Sequence, residues 1–458
     1  MSNDTSKQSV LFDDLADKVV VARFDQPQAS SDGGAVLLKG CDQALGLTAA
    51  MAACLEEWRQ QAKVRHDLDE LLRQRVFAIA CGYADANDAA RLAHDPIQKL
   101  LVGRDAVNGA ALASQPTLSR FENAVDSRTL YRMGAALADS VIARHRRRLK
   151  GKAKRITIDL DPTDDPTHGA QQLSFFNGHY GNWCYLPVAG FVTFNDEAEQ
   201  YLVAYVLRPG NAPATLGAIG ILKRLMQRLR AAFPRAQLRV RLDGGFACPE
   251  LFDFLDAQRV KYVIAMGRNN TLKQHAEPLM EVAREMTARS GQTEHVYGEC
   301  VYSARSWSRE RRVVIKAEVV RLHGRLPKEN PRFVVTNHTG SPEQVYTKLY
   351  CARGEIENRI KELHHGLEID RTSCTRFQAN QLRVLLTAAA YALMQELRLR
   401  AGDTCCARSQ VSTLRDRLLK LGVWIETSVR RVVLHLPMGT PFAEEWRRIA
   451  RSIGAVPA

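Results

Sequence analysis

Four acidic side chains stand where a folded chain would present them rather than hide them. Ile156, Ile158 and Leu160 alternate with Thr157, Asp159 and Asp161, the period of a strand with one apolar face. Alternate residues point the same way, so both aspartates share the other face near the strand's end. Asp243 closes Leu238-Arg239-Val240-Arg241-Leu242-Asp243 in the same style, behind two arginines, and Glu357 lies in a strongly patterned helix. Hydrolysis or transfer of a phosphodiester needs charge neutralisation and an in-line nucleophile, which two divalent ions roughly 4 Å apart supply. Hard cations such as Mg²⁺ prefer carboxylate oxygens. Two strand-end aspartates and a helical glutamate form a cage of that kind, with Arg353 and Lys361 about one turn either side of Glu357 to hold flanking phosphates. Each acid also has a plainer reading as a turn former, a helix cap or an ion-pair partner. The joint pattern is what argues for chemistry.

The elements that must position these groups follow from periodicity. Residues 1–150 read as mainly helical after a short extended start at Val19–Phe24, with helices expected over 67–80 and from Ser114 to Glu122. The pattern changes at 156. Strands are expected at 156–161, 186–194, 201–207, 238–243 and 262–266, with helices over 216–232 and 249–258, which describes a mixed α/β sheet. Residues 291–340 are strand-rich and read as a β insertion. Helices return over 341–365 and 378–399, and the tail (401–458) carries a strand pair and a short helix. The helix bearing Glu357 has Ser341 as N-cap, Pro342 in its first turn and Gln344 at capping-box spacing. Its apolar stripe is Val345, Leu349, Ala352, Ile356, Ile360, Leu363 and Leu367. A polar stripe beside it is Tyr346, Tyr350, Arg353, Glu357, Lys361 and His364, and Gly366 is expected to stop the helix.

Composition bounds the partners. The chain has 458 residues and 45% hydrophobic content, enough for sizeable cores, which excludes wholesale disorder. The longest mostly apolar run without charge, Val384–Met394, is about half what a bilayer requires, so no membrane partner is expected. No secretory signal is visible at the N-terminus, and the ten scattered cysteines form no C-x-x-C pair; a cytoplasmic, nucleoid-associated protein with reduced thiols is the expectation. A net charge of +14 points to a polyanion, most often nucleic acid. Eight Lys/Arg and no acid lie between Arg144 and Arg155, with smaller clusters at 223–230, 309–312, 430–431 and 447–451.

At Tyr350-x-x-Arg353-x-x-x-Glu357 the chain resembles bacterial insertion-sequence transposases of the DDE type, which share a Tyr-x2-Arg-x3-Glu-x6-Lys signature. More narrowly it resembles the thirteen-eighty family of insertion sequences. The supporting stretches are Ile158-Asp159-Leu160-Asp161-Pro162-Thr163-Asp164-Asp165, His168-Gly169 with Gln171, Leu207-Arg208-Pro209-Gly210-Asn211, Arg241-Leu242-Asp243-Gly244-Gly245-Phe246, Val334-Val335-Thr336-Asn337, and Gly82-Tyr83 with Asp85, Asn87 and Asp88. The resemblance runs over roughly residues 30–400. The resemblance implies a ribonuclease-H-like catalytic core (151–290 and 341–400) interrupted by the β-rich insertion, and a helical N-terminal region that binds transposon ends. It implies Mg²⁺, with Mn²⁺ substituting, held by Asp161, Asp243 and Glu357. Cleavage at the inverted-repeat ends and joining of the 3′-hydroxyls to target DNA would proceed in a homodimeric synaptic complex. A catalytically silent DNA-binding regulator and a plain metal-dependent nuclease are the alternatives. Asp159 rivals Asp161 as the first acid; Asp161 better fits an Asp-x-Thr pattern with Thr163. The signature lysine falls on His364, with Lys361 as its alternative, beside Tyr350 and Arg353 as DNA contacts. Trp307 and Phe333, in or beside the insertion, are candidates for stacking on a displaced base.

Overall fold

The computed structural model describes residues 10–12 and 15–456. Its centre is a nine-stranded sheet, and the strands needed to follow it are β1 (Arg155–Pro162), β2 (Val188–Phe194), β3 (Tyr201–Val206), β4 (Gln237–Leu242), β5 (Lys261–Met266), β6 (Glu294–Tyr302), β7 (Arg311–Val320) and β8 (Arg332–Thr336). The order across the sheet is β6-β7-β8-β5-β4-β1-β2-β3, with the short Lys328–Glu329 strand on β7. β1, β4 and β5 run parallel; β2 is antiparallel to both of its neighbours. β1 and β2 are buried along nearly their whole length, as expected of strands covered on both faces. The strand-rich stretch after residue 291 does not stand apart from this sheet. β8 pairs antiparallel with β5, so β6–β8 extend the sheet beyond β5.

The helix Phe377–Ala401 is buried all round from Leu382 to Arg398, as a helix at the centre of a large core must be. Two of its three glutamines meet the free edge of β3, along which the helix lies. Gln395 accepts from Leu202 N at 3.0 Å and donates to Gln200 O, while Gln381 accepts from Leu207 N at 2.7 Å and donates to Tyr205 O. The edge strand's open backbone groups are thereby paired. The N-terminal helices, including Leu68–Ala80 capped by Asp67 and Ser127–Arg148 capped by Asp126, pack into the same continuous core as the sheet. A buried ion triad, Arg75–Glu122–Arg383, ties two of these N-terminal segments to the central helix. Val423–Thr427 pairs with Ala29–Ser30, joining the tail to the start of the described fold.

The helical segment around Glu357 is less uniform than its stripes suggest. Pro342–Gln344 is a single turn, capped as expected by Ser341, followed by a π-helical stretch at Val345–Tyr350, a 3₁₀ turn at Cys351–Arg353, and then an α-helix over Gly354–Leu367. The chain leaves that helix at Glu368, in the left-handed region at φ 52°, and not at Gly366. Gly366 serves close packing instead: a Cβ there would stand 3.2 Å from that of Val411.

Candidate active site

β1 and β4 lie side by side in parallel register, Thr157 opposite Arg239 and Asp159 opposite Arg241. At the first rung Arg239 donates to Thr157 Oγ1 at 2.8 and 3.0 Å. The second is a bidentate ion pair, Arg241 Nε and Nη2 to the two Asp159 oxygens at 2.7 and 2.8 Å, with Gln200 Nε2 adding a third bond at 3.0 Å. Asp159 is fully buried, and burial raises its carboxyl while Arg241 opposes that rise. Two residues further along the chain stand Asp161, still on β1, and Asp243, just past the end of β4 and beyond the last paired rung; the charge of Asp243 acts on Asp161.

Asp161 is buried to 7% exposure, and burial pushes its carboxyl up to about 7. Arg353 opposes that rise, and the charges of Asp243 and Glu357 add to it. Asp243 ends β4 and accepts from Gly245 N at 3.0 Å, which leaves its second oxygen uncommitted within its turn. Glu357 sits in the first turn of the helix Gly354–Leu367 and is exposed, so it is presented to solvent on the acid side. Arg353 bridges the group. Its Nη1 lies 3.1 Å from Asp161 Oδ1 and its Nη2 3.5 Å from Glu357 Oε1, but Nη1 makes no aligned hydrogen bond. Among the described residues no three His, Cys, Asp or Glu side chains stand in a metal-holding arrangement. The donor chemistry nonetheless fits a hard cation: the charges of two further carboxylates act on Asp161, and the guanidinium beside it bonds it poorly.

Two features position Glu357. Arg241 reaches past Asp159 to the carbonyl of Leu349 at 3.4 Å, linking the strand ladder to the π-helical stretch. On the opposite side of the helix, buried Glu362 accepts from Tyr391 Oη (2.7 Å), Arg359 Nη1 (3.1 Å), Val411 N (2.7 Å) and Arg398. Glu199 shares Arg398 and Arg359. π-Helical turns occur disproportionately at functional sites.

The other sequence candidates divide. Tyr350 is half-buried beside Arg353 and packs 5.5 Å from the ring of Tyr346. Lys361 is exposed on the helix with no ion-pair partner among the described residues. His364 turns to Asp370, 3.3 Å away, in a separate polar cavity of about 590 Å³ lined also by Asp85, His168, Gln171 and Arg371. Phe333 is 1% exposed in the core and has no open face. Trp307 is held edge-on by Phe252 and Tyr302, at 5.1 and 5.2 Å, under the Arg311 guanidinium. Phe333 packs in the core, and Trp307 is partly exposed and packed against its neighbours. An apolar cleft of about 350 Å³ between the helices Ser127–Arg148 and Ala218–Ala232 and β3 contains none of the acids.

Periodicity does not reveal a hairpin next to the acids, Phe175–Asn177 with Asn182–Tyr185. A weaker signal for it is present: a turn of Gly, Asn and His between aromatic residues.

No curated protein matches the chain. A family model described as Transposase DDE domain group 1 matches residues 12–458, nearly the entire length and all of the acid site. On that match the chain belongs to the DDE-domain transposases of group 1.

Proposed function

We propose that this transposase, of the thirteen-eighty insertion-sequence branch, cuts the ends of its element and joins the 3′-hydroxyls to target DNA, using Asp161, Asp243 and Glu357. The observation that carries the reading is the buried Asp161 carboxylate at the end of β1, where the charges of Asp243, just past β4, and of Glu357 act on it and Arg353, 3.1 Å away, bonds it poorly. A fold gains nothing in stability from such a grouping, since like charges raise each other's free energy. It becomes useful when a cation or a phosphate-bound ion is shared. The sheet order β3-β2-β1-β4-β5, with only β2 reversed, supports a ribonuclease-H-like core.

The family generally uses divalent metals; Asp161, Asp243 and Glu357 would hold them, Mg²⁺ or Mn²⁺, and the ions would supply Lewis-acid activation and charge neutralisation at the scissile phosphate. The chain's own residues do the rest. Arg353, freed from Asp161, turns its planar donors to a phosphate oxygen. Tyr350 fixes the side of Arg353. The Asp159–Arg241–Leu349 link keeps the Glu357 helix against the strand ends. Inverted-repeat ends and target DNA are the substrates, and two joined ends require a homodimer.

The test is Mg²⁺-dependent cleavage and strand transfer on DNA carrying the element's flanking inverted repeats. Asp161→Asn, Asp243→Asn and Glu357→Gln should each lower turnover by at least about 10³-fold while duplex binding persists. Full activity in any one variant would remove that residue from the triad. Cleavage without joined products would leave a nuclease; binding without either would leave a regulator.

A further inference from the structure

The 175–185 hairpin stands out on the described surface because it exposes large aromatic rings and yet is firmly clamped. Phe176 and Trp183 are register partners across its two strands, with ring centroids 6.4 Å apart in an edge-to-face pair, and they remain 56% and 59% exposed. Tyr180, at the tip, is 37% exposed and packs edge-on to His179 at 4.8 Å. Exposed apolar groups in contiguous patches on a folded chain mark binding surfaces.

The clamp excludes a floppy loop. Asn177 Oδ1 caps the turn by accepting from His179 N at 3.0 Å, and its Nδ2 donates to Gly210 O at 3.0 Å. Gly210 in turn presses onto the hairpin so closely that a Cβ would lie 2.0 Å from Cys184 O and 2.7 Å from Phe175 O, which no side chain tolerates. Thr167 N donates to Trp183 O at 2.9 Å, and the buried Tyr185 donates to Gln172 O at 2.9 Å. Such preorganisation serves a site that must hold aromatic faces in place.

The hairpin is also tied to the acid centre. Asn182 Nδ2 lies 3.5 Å from Asp164 Oδ2, three residues beyond Asp161 on the same strand exit. The phenol of Tyr180 is raised above its usual range first by burial, then by the charges of Asp164, Asp161 and Asp243. The tip therefore lies within electrostatic reach of the acids that would act on the phosphodiester.

We propose that the 175–185 hairpin is a stacking platform that receives unpaired nucleotides of the DNA strand beside the scissile phosphate, with Phe176 and Trp183 as its faces and Tyr180 between them and the acids. The proposal rests on the reading that Asp161, Asp243 and Glu357 act on DNA. Every base has a π-face, so stacking is sequence-tolerant and favours single strands over duplex, whose bases already stack on each other. A chain with a surplus of basic residues draws in the phosphate backbone, and the aromatic patch then selects unpaired bases from it.

The experiment is fluorescence anisotropy of the full chain with labelled oligothymidine and with a labelled duplex, both in EDTA so that no cleavage intervenes. Trp183→Ala and Phe176→Ala should each weaken oligothymidine binding about 10-fold and change duplex binding far less, and Trp183→Phe should restore it. Both residues are exposed, so thermal melting should match wild type. Unchanged oligothymidine binding in the double variant would overturn the proposal. So would an equal loss on single strand and duplex, or a changed oligomeric mass with DNA binding intact, which would make the patch a protein interface. Glu357→Gln separates the two readings: it should abolish cleavage and leave oligothymidine binding intact. A wild type that never cuts but loses single-strand binding on Trp183→Ala would refute the acid reading and keep the platform.

Discussion

Asp159 and Asp161 are two residues apart on one face of one strand, and their surroundings differ. Asp159 has no water-accessible surface and meets Arg241 in a bidentate pair, whereas Asp161 feels the charges of Asp243 and Glu357 and stands beside an arginine that bonds it poorly. Breaking a buried pair by removing one partner leaves the other charge uncompensated, typically at a cost of about 3–5 kcal/mol. Asp159→Ala should therefore lower stability by about that much, and because Arg241 also holds Leu349 O, it should disturb the placement of Glu357. Asp161→Asn removes a carboxylate that its acidic neighbours penalise, so it should leave stability unchanged or improve it while abolishing cleavage. Urea unfolding of the two variants decides the matter. If Asp159→Ala unfolds at the wild-type midpoint, the buried pair has no structural role.

At the scale of elements, the helix carrying Glu357 is held from behind by Glu362, whose two oxygens accept from one donor on its own helix and three on two neighbouring segments. Glu362→Ala should cost about 3–5 kcal/mol, because Arg398 and Arg359 would share only Glu199. Glu362→Gln should cost less, since it keeps the shape and some acceptor capacity. Cleavage should fall in the alanine variant by more than its unfolded fraction explains, which unfolding curves and turnover measured in the same buffer will test. Much of this element was legible in the residues. The stripes ending at Leu367, the Ser341 cap and the strands at 156, 238 and 262 all follow from local periodicity, and the structure places them within a residue or two. What periodicity could not carry was any feature set by distant chain. The choice between Asp159 and Asp161 depends on which residue of β4 stands opposite, a register between strands some eighty positions apart. The π-helical stretch at Val345–Tyr350 turns the faces, burying Tyr346 of the polar stripe and leaving Ala352 of the apolar stripe exposed, and the stripes do not reveal that turn. The aromatic hairpin escaped because neither strand exceeds four residues, too short for alternation to declare itself. And strands read as a separate β insertion gave no sign, in their own sequence, that they would pair with β5.

For the whole molecule, the +14 surplus is a poor map of where a polyanion would lie, because the fold neutralises many of the basic residues it was counted from. Arg309, Arg311 and Arg312, a cluster in sequence, pair with Asp256, Asp253 and Glu299. In the densest run, Arg144, Arg148 and Arg155 pair with Glu396, Glu197 and Asp196. Lys150, Lys152 and Lys154 of the same run are exposed and have no ion-pair partner among the described residues. They precede β1, and Asp161 lies at its far end, about 23 Å away at the rise of a strand. A duplex seated at the acids and reaching round to the entrance of β1 would bring its backbone to the lysines within one helical turn of about 34 Å. Counterion release then makes a quantitative demand. Removing one lysine–phosphate pair should flatten the dependence of log affinity on log salt by about 0.9, so Lys150→Gln, Lys152→Gln and Lys154→Gln combined should reduce the slope by up to about 2.7. Arg309→Gln with Arg312→Gln should leave the slope where it was, since those charges are already neutralised by carboxylates, and should show its effect in thermal stability instead. Duplex titrations across a salt series will rank the two sets of variants. A slope that falls for the arginines and holds for the lysines would move the DNA path from the β1 entrance to the β6–β7 edge of the sheet.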